Sequence, residues 1–230
     1  MVTGIVLAAG RSSRMGGGTN KQFLELLGRP LVSFSLAAFE QCRQVDAIVV
    51  VRRPDYAGVI EQIDQDAGCT KVVAFVDGGV ERQNSVWNGM ERCPAGTEIV
   101  AVHDGARPLV TPELIEATIE SARTHGTGIA ATKVVDTIKE ADADRVVLRT
   151  VDRTKLWAMQ TPQTVRYELL REAYGKVLAQ PGLVVTDEGA AVEGLGHRVH
   201  LVDTPFLNLK VTTPGDLATV EALLRQRGFH

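Results

Sequence analysis

The sequence predicts an α/β fold in which a mostly parallel β-sheet is flanked by helices. Short apolar runs alternate along the first half of the chain with segments whose apolar residues recur every three to four positions. The first such run, residues 4–9, leads directly into Gly10, which is typical of a fully buried parallel strand. A length of 230 residues fits one domain, so we predict a single domain over residues 1–230.

The alternation can be followed element by element through the first half. Proline in the first turn supports a helix at residues 30–42. Thr111, Pro112 and Glu113 form a helix start, because they supply a cap, a first-turn proline and a negative charge at the positive end of the helix dipole. The predicted strands are residues 4–9, 47–51, 71–76 and 98–103, and the predicted helices are 30–42, 56–67, 82–92 and the one beginning at Thr111. Strands that alternate with helices indicate βαβ units.

The pattern changes after residue 132. Two extended segments, residues 133–139 and 145–150, flank a polar turn and predict an inserted β-hairpin, an arm over about residues 133–153. An isolated hairpin is marginally stable in water, so it packs either on a partner subunit or on its own sheet, and the pattern leaves both open. The later elements are predicted as helices at 165–178 and 188–195, an extended segment at 197–202, and a final helix capped by Thr213 and running to residue 224.

Composition narrows the function classes. Lys and Arg number 25 against 28 Asp and Glu, so there is no basic surplus for nucleic acid. No stretch approaches the length of an apolar membrane span, and no positively charged segment precedes the first apolar run, as a secretory signal requires. Cys42, Cys69 and Cys93 are far apart and include no C-x-x-C pair, which argues against zinc-ribbon and thioredoxin sites. We expect a cytoplasmic protein that binds neither nucleic acid nor membrane.

The loop after the first predicted strand combines small residues with two cations. Ala8, Ala9 and Gly10 let backbone N–H groups approach an anion, and Arg14 and Lys21 supply positive charge. The spacing matches neither the dinucleotide fingerprint nor the P-loop. The loop therefore predicts a polyphosphate site of another type, with an ordinary surface loop carrying solvated charges as the alternative.

An acid and a cation follow the fourth predicted strand. Asp104 and Arg107 lie at its carboxyl end, where ligands bind in open α/β sheets. The carboxylate suits a ribose hydroxyl, Mg²⁺ or a metal-bound water, and the guanidinium suits a phosphate. The alternative is an ion pair that locks the loop. A single histidine at a strand end, such as His103, is more often a packed residue with its hydrogen bonds satisfied than a general base.

Three further segments carry weaker signals. Gly79 and Ser85 lie where the third predicted strand passes into a helix, a place for a base or a ribose, although a plain helix cap explains them equally well. Lys210 and the Asp152–Arg153 pair are typical of solvated surface charges. Residues 186–188 favour a helix N-terminus, with Asp187 as a metal ligand in the alternative.

In order and spacing, these segments resemble one known family over nearly the whole chain. The matching positions are 8–10, Arg14, 21–22, 77–79, Arg82, 85–86, 103–108, 136–137, 151–153, 161–163, 186–188, 210–212, Pro214 and 216–217. The chain resembles the 2-C-methyl-D-erythritol 4-phosphate cytidylyltransferases of the nonmevalonate isoprenoid pathway.

That resemblance implies a Rossmann-like nucleotidyltransferase fold and the transfer of CMP from CTP to methylerythritol phosphate, with release of pyrophosphate and with Mg²⁺ or another divalent cation. It also implies a homodimer in which the hairpin arm completes the partner's active site. The implied roles are catalysis by Arg14, Lys21 and Lys210; nucleotide binding by Ala8, Ala9, Gly10, Gly79, Ser85 and Asp104; substrate binding by Arg107, Thr137, Arg153 and Thr161; and metal binding by Asp104.

Two departures and three alternatives accompany the resemblance. Val80 stands where many relatives carry an acid, and residues 16–18 are all glycine. A ribitol 5-phosphate cytidylyltransferase would differ in the acceptor pocket. A molybdenum-cofactor nucleotidyltransferase would lack the long second half and the hairpin. A regulatory nucleotide-binding module would not need Arg14, Lys21 and Lys210 together, because binding alone requires no stabilisation of a transition state.

Overall fold

The computed structural model describes residues 1–10 and 23–229. Its strands are β1 Val2–Leu7, β2 Glu25–Leu26, β3 Arg29–Pro30, β4 Ala47–Arg52, β5 Val72–Asp77, β6 Ile99–Asp104, β7 Thr127–Lys133, β8 Lys139–Ala141, β9 Val147–Thr150, β10 Trp157–Arg166 and β11 Leu201–Asp203. Seven of these form the central sheet in the order β11-β7-β10-β6-β1-β4-β5. All neighbouring pairs are parallel except those made by β10, which confirms the predicted mostly parallel, Rossmann-like sheet.

Helices cover both faces of the sheet. They are α1 Leu31–Gln41, α2 Ala57–Ala67, α3 Arg82–Met90, α4 Pro112–His125, α5 Tyr167–Leu178, α6 Glu188–Glu193 and α7 Pro214–Gln226. One core cluster joins α1, α2 and α4 to alternate residues of the strands, and a second joins α3, α5 and α6 to the residues between them. On β1, for example, Val6 belongs to the first cluster and Ile5 to the second. Within the described ranges, no helix is long and apolar enough to cross a membrane.

Most predicted elements agree with the structure to within one to three residues at their ends. Thr111 caps α4 by accepting a hydrogen bond from the Leu114 backbone N–H, and Thr213 forms a capping box with Asp216 at the start of α7. The extended segment predicted at 197–202 is shorter, because only Leu201–Asp203 pairs with a neighbouring strand.

The sequence reading missed the strand β10. Residues 165–178 were predicted as one helix, but Val165 and Arg166 end β10, and α5 begins at Tyr167. This strand runs antiparallel to both β6 and β7 in the middle of the sheet. Its register shifts between Met159 and Gln163, and Pro162 lies in that irregular stretch. A proline is tolerated where the hydrogen-bond ladder between strands is interrupted. Because proline inside an apolar run argues against a central strand, the sequence pattern did not predict β10.

The predicted hairpin is present with different bounds. Residue 133 ends β7, and the hairpin strands are β8 and β9, which pair antiparallel as a sheet separate from the central one. The first strand was expected at residues 133–139 and lies instead at 139–141. Lys133 still pairs with Trp157 in the central sheet, and the Val134 N–H donates to the Leu156 carbonyl at 3.2 Å, so the chain leaves that sheet only after residue 134. Four apolar side chains near the hairpin are exposed, namely those of Val135, Val146, Val147 and Leu148.

Gly128 permits close packing of α4 on β7, and we expect Gly128→Ala to destabilise the fold. An added Cβ would lie 2.1 Å from the Thr118 carbonyl oxygen and 2.8 Å from Ser121 Cβ. Because the first contact is with backbone, the helix must shift, at a cost of about 2 kcal/mol in the free energy of unfolding.

Urea unfolding measures this loss, and Gly175→Ala is the matched control. Gly175 lies in α5 with nothing within 4 Å of an added Cβ. Alanine there should raise the free energy of unfolding by about 0.5–1 kcal/mol, because it restricts the unfolded chain and favours helix. Equal stabilities of the two variants would contradict the packing argument.

Candidate active site

The candidate site lies at the carboxyl ends of β1, β4, β5 and β6. The chain leaving β1 is held between its neighbours, since the Ala8 N–H donates to the Val51 carbonyl at 2.7 Å and the Gly105 N–H donates to the Leu7 carbonyl at 3.0 Å. The strands β4 and β6 flank β1 on opposite sides. Such a change of winding direction opens a crevice at the strand ends, where open α/β sheets bind ligands.

One wall of this crevice brings together the predicted nucleotide-binding segments. A Cβ added to Gly78 would lie 2.4 Å from Ala9 Cβ and 3.0 Å from Ser85 Oγ, so the loop after β1 packs on the turn after β5. The Ser85 hydroxyl accepts a hydrogen bond from the Gly79 N–H at 3.0 Å and donates to the Glu81 carbonyl at 3.2 Å. Ser85 therefore holds the turn in shape, and its contact with a nucleotide stays a prediction.

The opposite wall is built around Asp104, which is almost completely buried. Its Oδ2 accepts a hydrogen bond from Lys210 Nζ at 2.7 Å and lies 3.8 Å from Arg107 Nε. Its Oδ1 lies 3.4 Å from Arg82 Nε. Burial alone would raise the pKa of the Asp104 carboxyl, but the neighbouring charges, Arg82 foremost, hold the pKa well below its usual range. One carboxylate thus stands among three cations, and the group carries a net positive charge suited to an anion.

Hydrogen bonds to the backbone on either side of Lys210 hold its segment against the loop after β6. The Val211 N–H donates to the Ala106 carbonyl at 2.8 Å, and Arg107 Nη1 donates to the Asn208 carbonyl at 2.8 Å. The local sequence around Lys210 predicts a solvated charge, and only the family resemblance implies a catalytic role. The structure brings it to Asp104, 106 positions away in the chain.

His103 and Thr161 form a buried chain of hydrogen bonds behind Asp104. The Thr161 hydroxyl accepts from the Asp104 N–H at 3.1 Å and lies 3.0 Å from His103 Nδ1, while His103 Nε2 lies 3.2 Å from the Arg107 carbonyl. Because a carbonyl only accepts, Nε2 carries the proton and Nδ1 accepts from Thr161. Burial lowers the pKa of His103 to about 3. His103 is therefore the packed, neutral residue that was expected, and Thr161 has a supporting role besides its predicted contact with substrate.

The sequence analysis did not predict a buried hydrogen-bonded group beside the cluster, formed by Arg82, Glu188 and Tyr174. Arg82 binds Glu188 through two nitrogens, with Nη1–Oε1 at 2.6 Å and Nη2–Oε2 at 3.0 Å, and the Tyr174 hydroxyl donates to Glu188 Oε1 at 2.8 Å. Glu188 is 0% exposed. Glu188 lies in the first turn of α6, where an acidic residue is common because it stabilises the helix dipole. The local sequence therefore gives no indication of a partner in α3.

Both carboxylate oxygens of Asp187 accept hydrogen bonds within the fold. Its Oδ1 accepts from the Ala190 N–H at 2.8 Å and its Oδ2 accepts from Gln163 Nε2 at 3.0 Å. Among the residues that the structure describes, no group of three or more His, Cys, Asp or Glu side chains could hold a metal ion. The helix-cap reading of residues 186–188 is thus the one that the structure supports.

The remaining predicted site residues lie elsewhere. Arg14 and Lys21 lie outside the described residues. Thr137 and Arg153 are exposed beside the hairpin, where the Arg153 guanidinium donates to the Val135 carbonyl. In the described part of the chain, neither makes a hydrogen bond or an ion pair with the Asp104 group. One protomer therefore assembles both walls of the crevice without these two residues.

Comparison with known proteins assigns the chain to a family. The family model described as 2-C-methyl-D-erythritol 4-phosphate cytidylyltransferase matches residues 2–226. The chain belongs to this family. It is 44% identical over 223 residues to the 2-C-methyl-D-erythritol 4-phosphate cytidylyltransferase of Geobacillus thermodenitrificans, covering 97% of this chain and 96% of that one. The chloroplastic enzyme of Oryza sativa is 40% identical over 98% of this chain and 75% of its own.

Solved structures of cytidylyltransferase family members have the same fold. The 4-diphosphocytidyl-2C-methyl-D-erythritol synthase of Anaerococcus prevotii superimposes with a TM-score of 0.86 at 29% identity, covering 97% of this chain and 96% of that one. The 2-C-methyl-D-erythritol 4-phosphate cytidylyltransferase of Thermus thermophilus gives a TM-score of 0.78 at 31% identity, with coverages of 96% and 98%. The nucleotidyltransferase fold predicted from sequence is confirmed.

The low pKa of His103 makes stability depend on pH. The folded protein keeps this imidazole neutral down to about pH 3, whereas an unfolded histidine takes up a proton below about pH 6.5. The stabilisation is therefore complete above about pH 6.5 and is lost as the pH falls toward the folded value, by about 1.4 kcal/mol per pH unit.

Urea unfolding of the wild type and of His103→Gln between about pH 6 and about pH 4.5 isolates this contribution, because the other titrating groups are shared. We expect the free energy of unfolding to fall more steeply with acidification in the wild type. Parallel pH profiles would contradict a neutral His103 in the folded state.

Proposed function

We propose that this chain transfers CMP from CTP to 2-C-methyl-D-erythritol 4-phosphate at the crevice around Asp104, by direct attack of the substrate phosphate on the α-phosphorus. The reaction follows from membership in the cytidylyltransferase family of isoprenoid biosynthesis. The observation that supports the location is the convergence of Arg82, Arg107 and Lys210 on one carboxylate at the strand ends. A net positive crevice suits two phosphorylated substrates.

The chemistry requires positioning and charge stabilisation more than a covalent intermediate. Negative charge accumulates around the α-phosphorus in an in-line displacement, so cations that approach it accelerate the step. We assign this role to Arg14, Lys21 and Lys210, in agreement with the resemblance noted above. Lys210 supports the assignment, because its side chain is 38% exposed while its ammonium lies 2.7 Å from Asp104 Oδ2.

Asp104 fits a divalent cation such as Mg²⁺ as a single carboxylate ligand. Mg²⁺ in phosphoryl-transfer sites is held by one or two carboxylates together with substrate phosphates and water, so a larger acidic cluster is not needed. The low pKa of Asp104 keeps the carboxylate ionised, as a ligand must be. A bound Mg²⁺ would neutralise charge on the nucleotide phosphates.

The nucleotide and the acceptor would occupy different walls. We place cytosine beside the backbone of residues 8–10, the turn at Gly79 and Ser85, because the loop after β1 packs on the turn after β5 there. Recognition of the base would use backbone groups, since Val80 supplies no acidic side chain. Asp104 would lie near the ribose, and Arg107 and Thr161 near the acceptor.

We further propose a homodimer in which the hairpin arm of each subunit delivers Thr137 and Arg153 to the other's crevice. The arm forms its own sheet and leaves Val135, Val146, Val147 and Leu148 from 55% to 78% exposed, which favours burial against a second subunit. The cytoplasm is the proposed compartment, in keeping with three free cysteines.

Pyrophosphate release from CTP and Mg²⁺ tests the reaction, with methylerythritol 4-phosphate, ribitol 5-phosphate or no acceptor. Release with methylerythritol 4-phosphate alone is expected. Release with ribitol 5-phosphate instead would keep the CTP site and overturn the acceptor assignment. CTP binding without release in any arm would favour a regulatory module.

In the same assay, Lys21→Ala should lower kcat by orders of magnitude while CTP binding is largely kept. Each tenfold loss corresponds to about 1.4 kcal/mol of transition-state stabilisation. Turnover within a few-fold of the wild type would contradict the catalytic role. Equal losses of CTP affinity and rate would point to a binding role alone.

Mixing two inactive variants tests the shared site. In a heterodimer of Lys210→Ala and Arg153→Ala, one crevice receives both substitutions and the other receives neither. Random reassembly of equal amounts should therefore restore about one quarter of wild-type activity. Each variant reassembled with itself is the control. No recovery in heterodimers verified by mass spectrometry would show that each subunit supplies its own Arg153.

A further inference from the structure

Two carboxylates compete for the guanidinium of Arg82. Glu188 holds both terminal nitrogens, with Nη1–Oε1 at 2.6 Å and Nη2–Oε2 at 3.0 Å. Asp104 receives only Nε, at 3.4 Å. Charged hydrogen bonds of good geometry are about 2.7–2.9 Å long, so the contact with Glu188 is the strong one and the contact with Asp104 is weak.

Glu188 is itself fixed from several sides. Its Oε1 accepts from the Tyr174 hydroxyl at 2.8 Å, and its side chain is 0% exposed. The next residue, Gly189, donates its N–H to Gln163 Oε1 at 3.0 Å, which ties the start of α6 to β10. Burial lowers the pKa of the Arg82 guanidinium, but Glu188 and Asp104 outweigh burial and raise it well above the usual value. Three hydrogen bonds, two from Arg82 and one from Tyr174, therefore hold the Glu188 carboxylate in place.

The consequence concerns Asp104. An arginine free of Glu188 could turn its two-nitrogen fork toward Asp104, because guanidinium and carboxylate match in a bidentate pair. That pair would occupy both oxygens of Asp104 and displace Lys210, whose Nζ now lies 2.7 Å from Oδ2. A bidentate pair would hold Asp104 more tightly than its present contacts with Arg82 at 3.4 Å and Arg107 at 3.8 Å, and Lys210 would lose the carboxylate that positions it.

We propose that Glu188 is a positioning residue for nucleotidyl transfer: by holding both terminal nitrogens of Arg82, it prevents this arginine from capturing Asp104 and keeps Asp104 and Lys210 available to CTP. The inference rests on the proposed placement of CTP in the Asp104 crevice. Tyr174 acts one step further away, by orienting Glu188.

A double-mutant cycle tests this role, using Glu188→Gln, Arg82→Met and the variant with both substitutions. Glu188→Gln should raise KM for CTP about tenfold, a loss of about 1.4 kcal/mol, with KM for the acceptor changed less than about twofold. Removing Arg82 as well should reverse much of that increase, because no guanidinium remains to capture Asp104. If Glu188 only supported the fold, removing Arg82 as well would not restore the affinity for CTP.

Two further variants separate positioning from stability. Tyr174→Phe removes one hydroxyl from a buried ring and should give a smaller rise of KM for CTP, about two- to threefold, even where Glu188→Gln folds poorly. Gly128→Ala destabilises the chain on another part of the sheet and should leave both KM values unchanged in the folded fraction. Circular dichroism fixes the folded fraction of each variant before the kinetics are compared.

The proposal is overturned if the doubly substituted variant binds CTP no better than Glu188→Gln, or if KM for both substrates rises together. CTP binding by isothermal titration calorimetry provides a readout that does not depend on turnover, and the dissociation constants should follow the same order as KM. A wild type that binds CTP but transfers nothing to any acceptor would remove the proposed reaction, while the calorimetric cycle would still decide the role of Glu188.

Discussion

The site depends on one buried carboxylate that neutralises part of the repulsion among three cations. Arg82 comes from α3, Arg107 from the loop after β6, and Lys210 from the segment before α7, so Asp104 joins three distant parts of the chain. Without a negative charge between them, these side chains would repel one another and turn toward solvent. With it, they remain together and leave a net positive charge at the strand ends. In the proposed function this carboxylate also serves a metal ion or the ribose, so competition for it would affect nucleotide binding.

The support behind Asp104 consists of neutral groups whose hydrogen bonds lock its orientation. The Asp104 backbone N–H donates to the Thr161 hydroxyl, which in turn donates to His103 Nδ1. Asn208 Nδ2 donates to the Thr161 carbonyl at 2.8 Å. His103 and Asn208 are completely buried and Thr161 nearly so. A second charge in this layer would compete for the cations in front of it. A neutral His103 avoids that competition, and a rigid support lowers the cost of reorganising the charged groups when a substrate arrives.

The sequence revealed the parts of the molecule that depend on local pattern. The apolar runs that became β1, β4 and β6 are continuous because both faces of these strands are buried, and the helix caps at Thr111 and Thr213 are short-range signals. The motifs around Asp104 were found for a related reason, since ligand-binding residues gather in loops at strand ends. The strand β10 and the Arg82–Glu188 pair were not found, because each depends on partners far away in the chain. A strand interrupted by Pro162 resembles a loop until its two neighbours are known, and a glutamate at a helix start gives no sign of an arginine 106 positions earlier.

The three cations around Asp104 already have hydrogen-bond partners, and this affects how a second phosphate could be bound. Arg82 is bound to Glu188, Arg107 donates to the Asn208 carbonyl, and Lys210 binds Asp104, so each of these three cations already has a partner. In the proposed arrangement, CTP brings its own large negative charge to the crevice, and a second phosphate must still approach the α-phosphorus. Further positive charge is therefore needed beyond these three side chains. In the proposed reaction, Arg14 and Lys21 would be two sources of that charge. On the acceptor side, the proposed dimer would supply Arg153 from the hairpin arm of the other subunit, and the structure shows Arg153 exposed beside that arm. A site completed only on dimerisation would follow from this charge requirement, because one protomer alone would attract CTP more readily than it could bring two phosphates together.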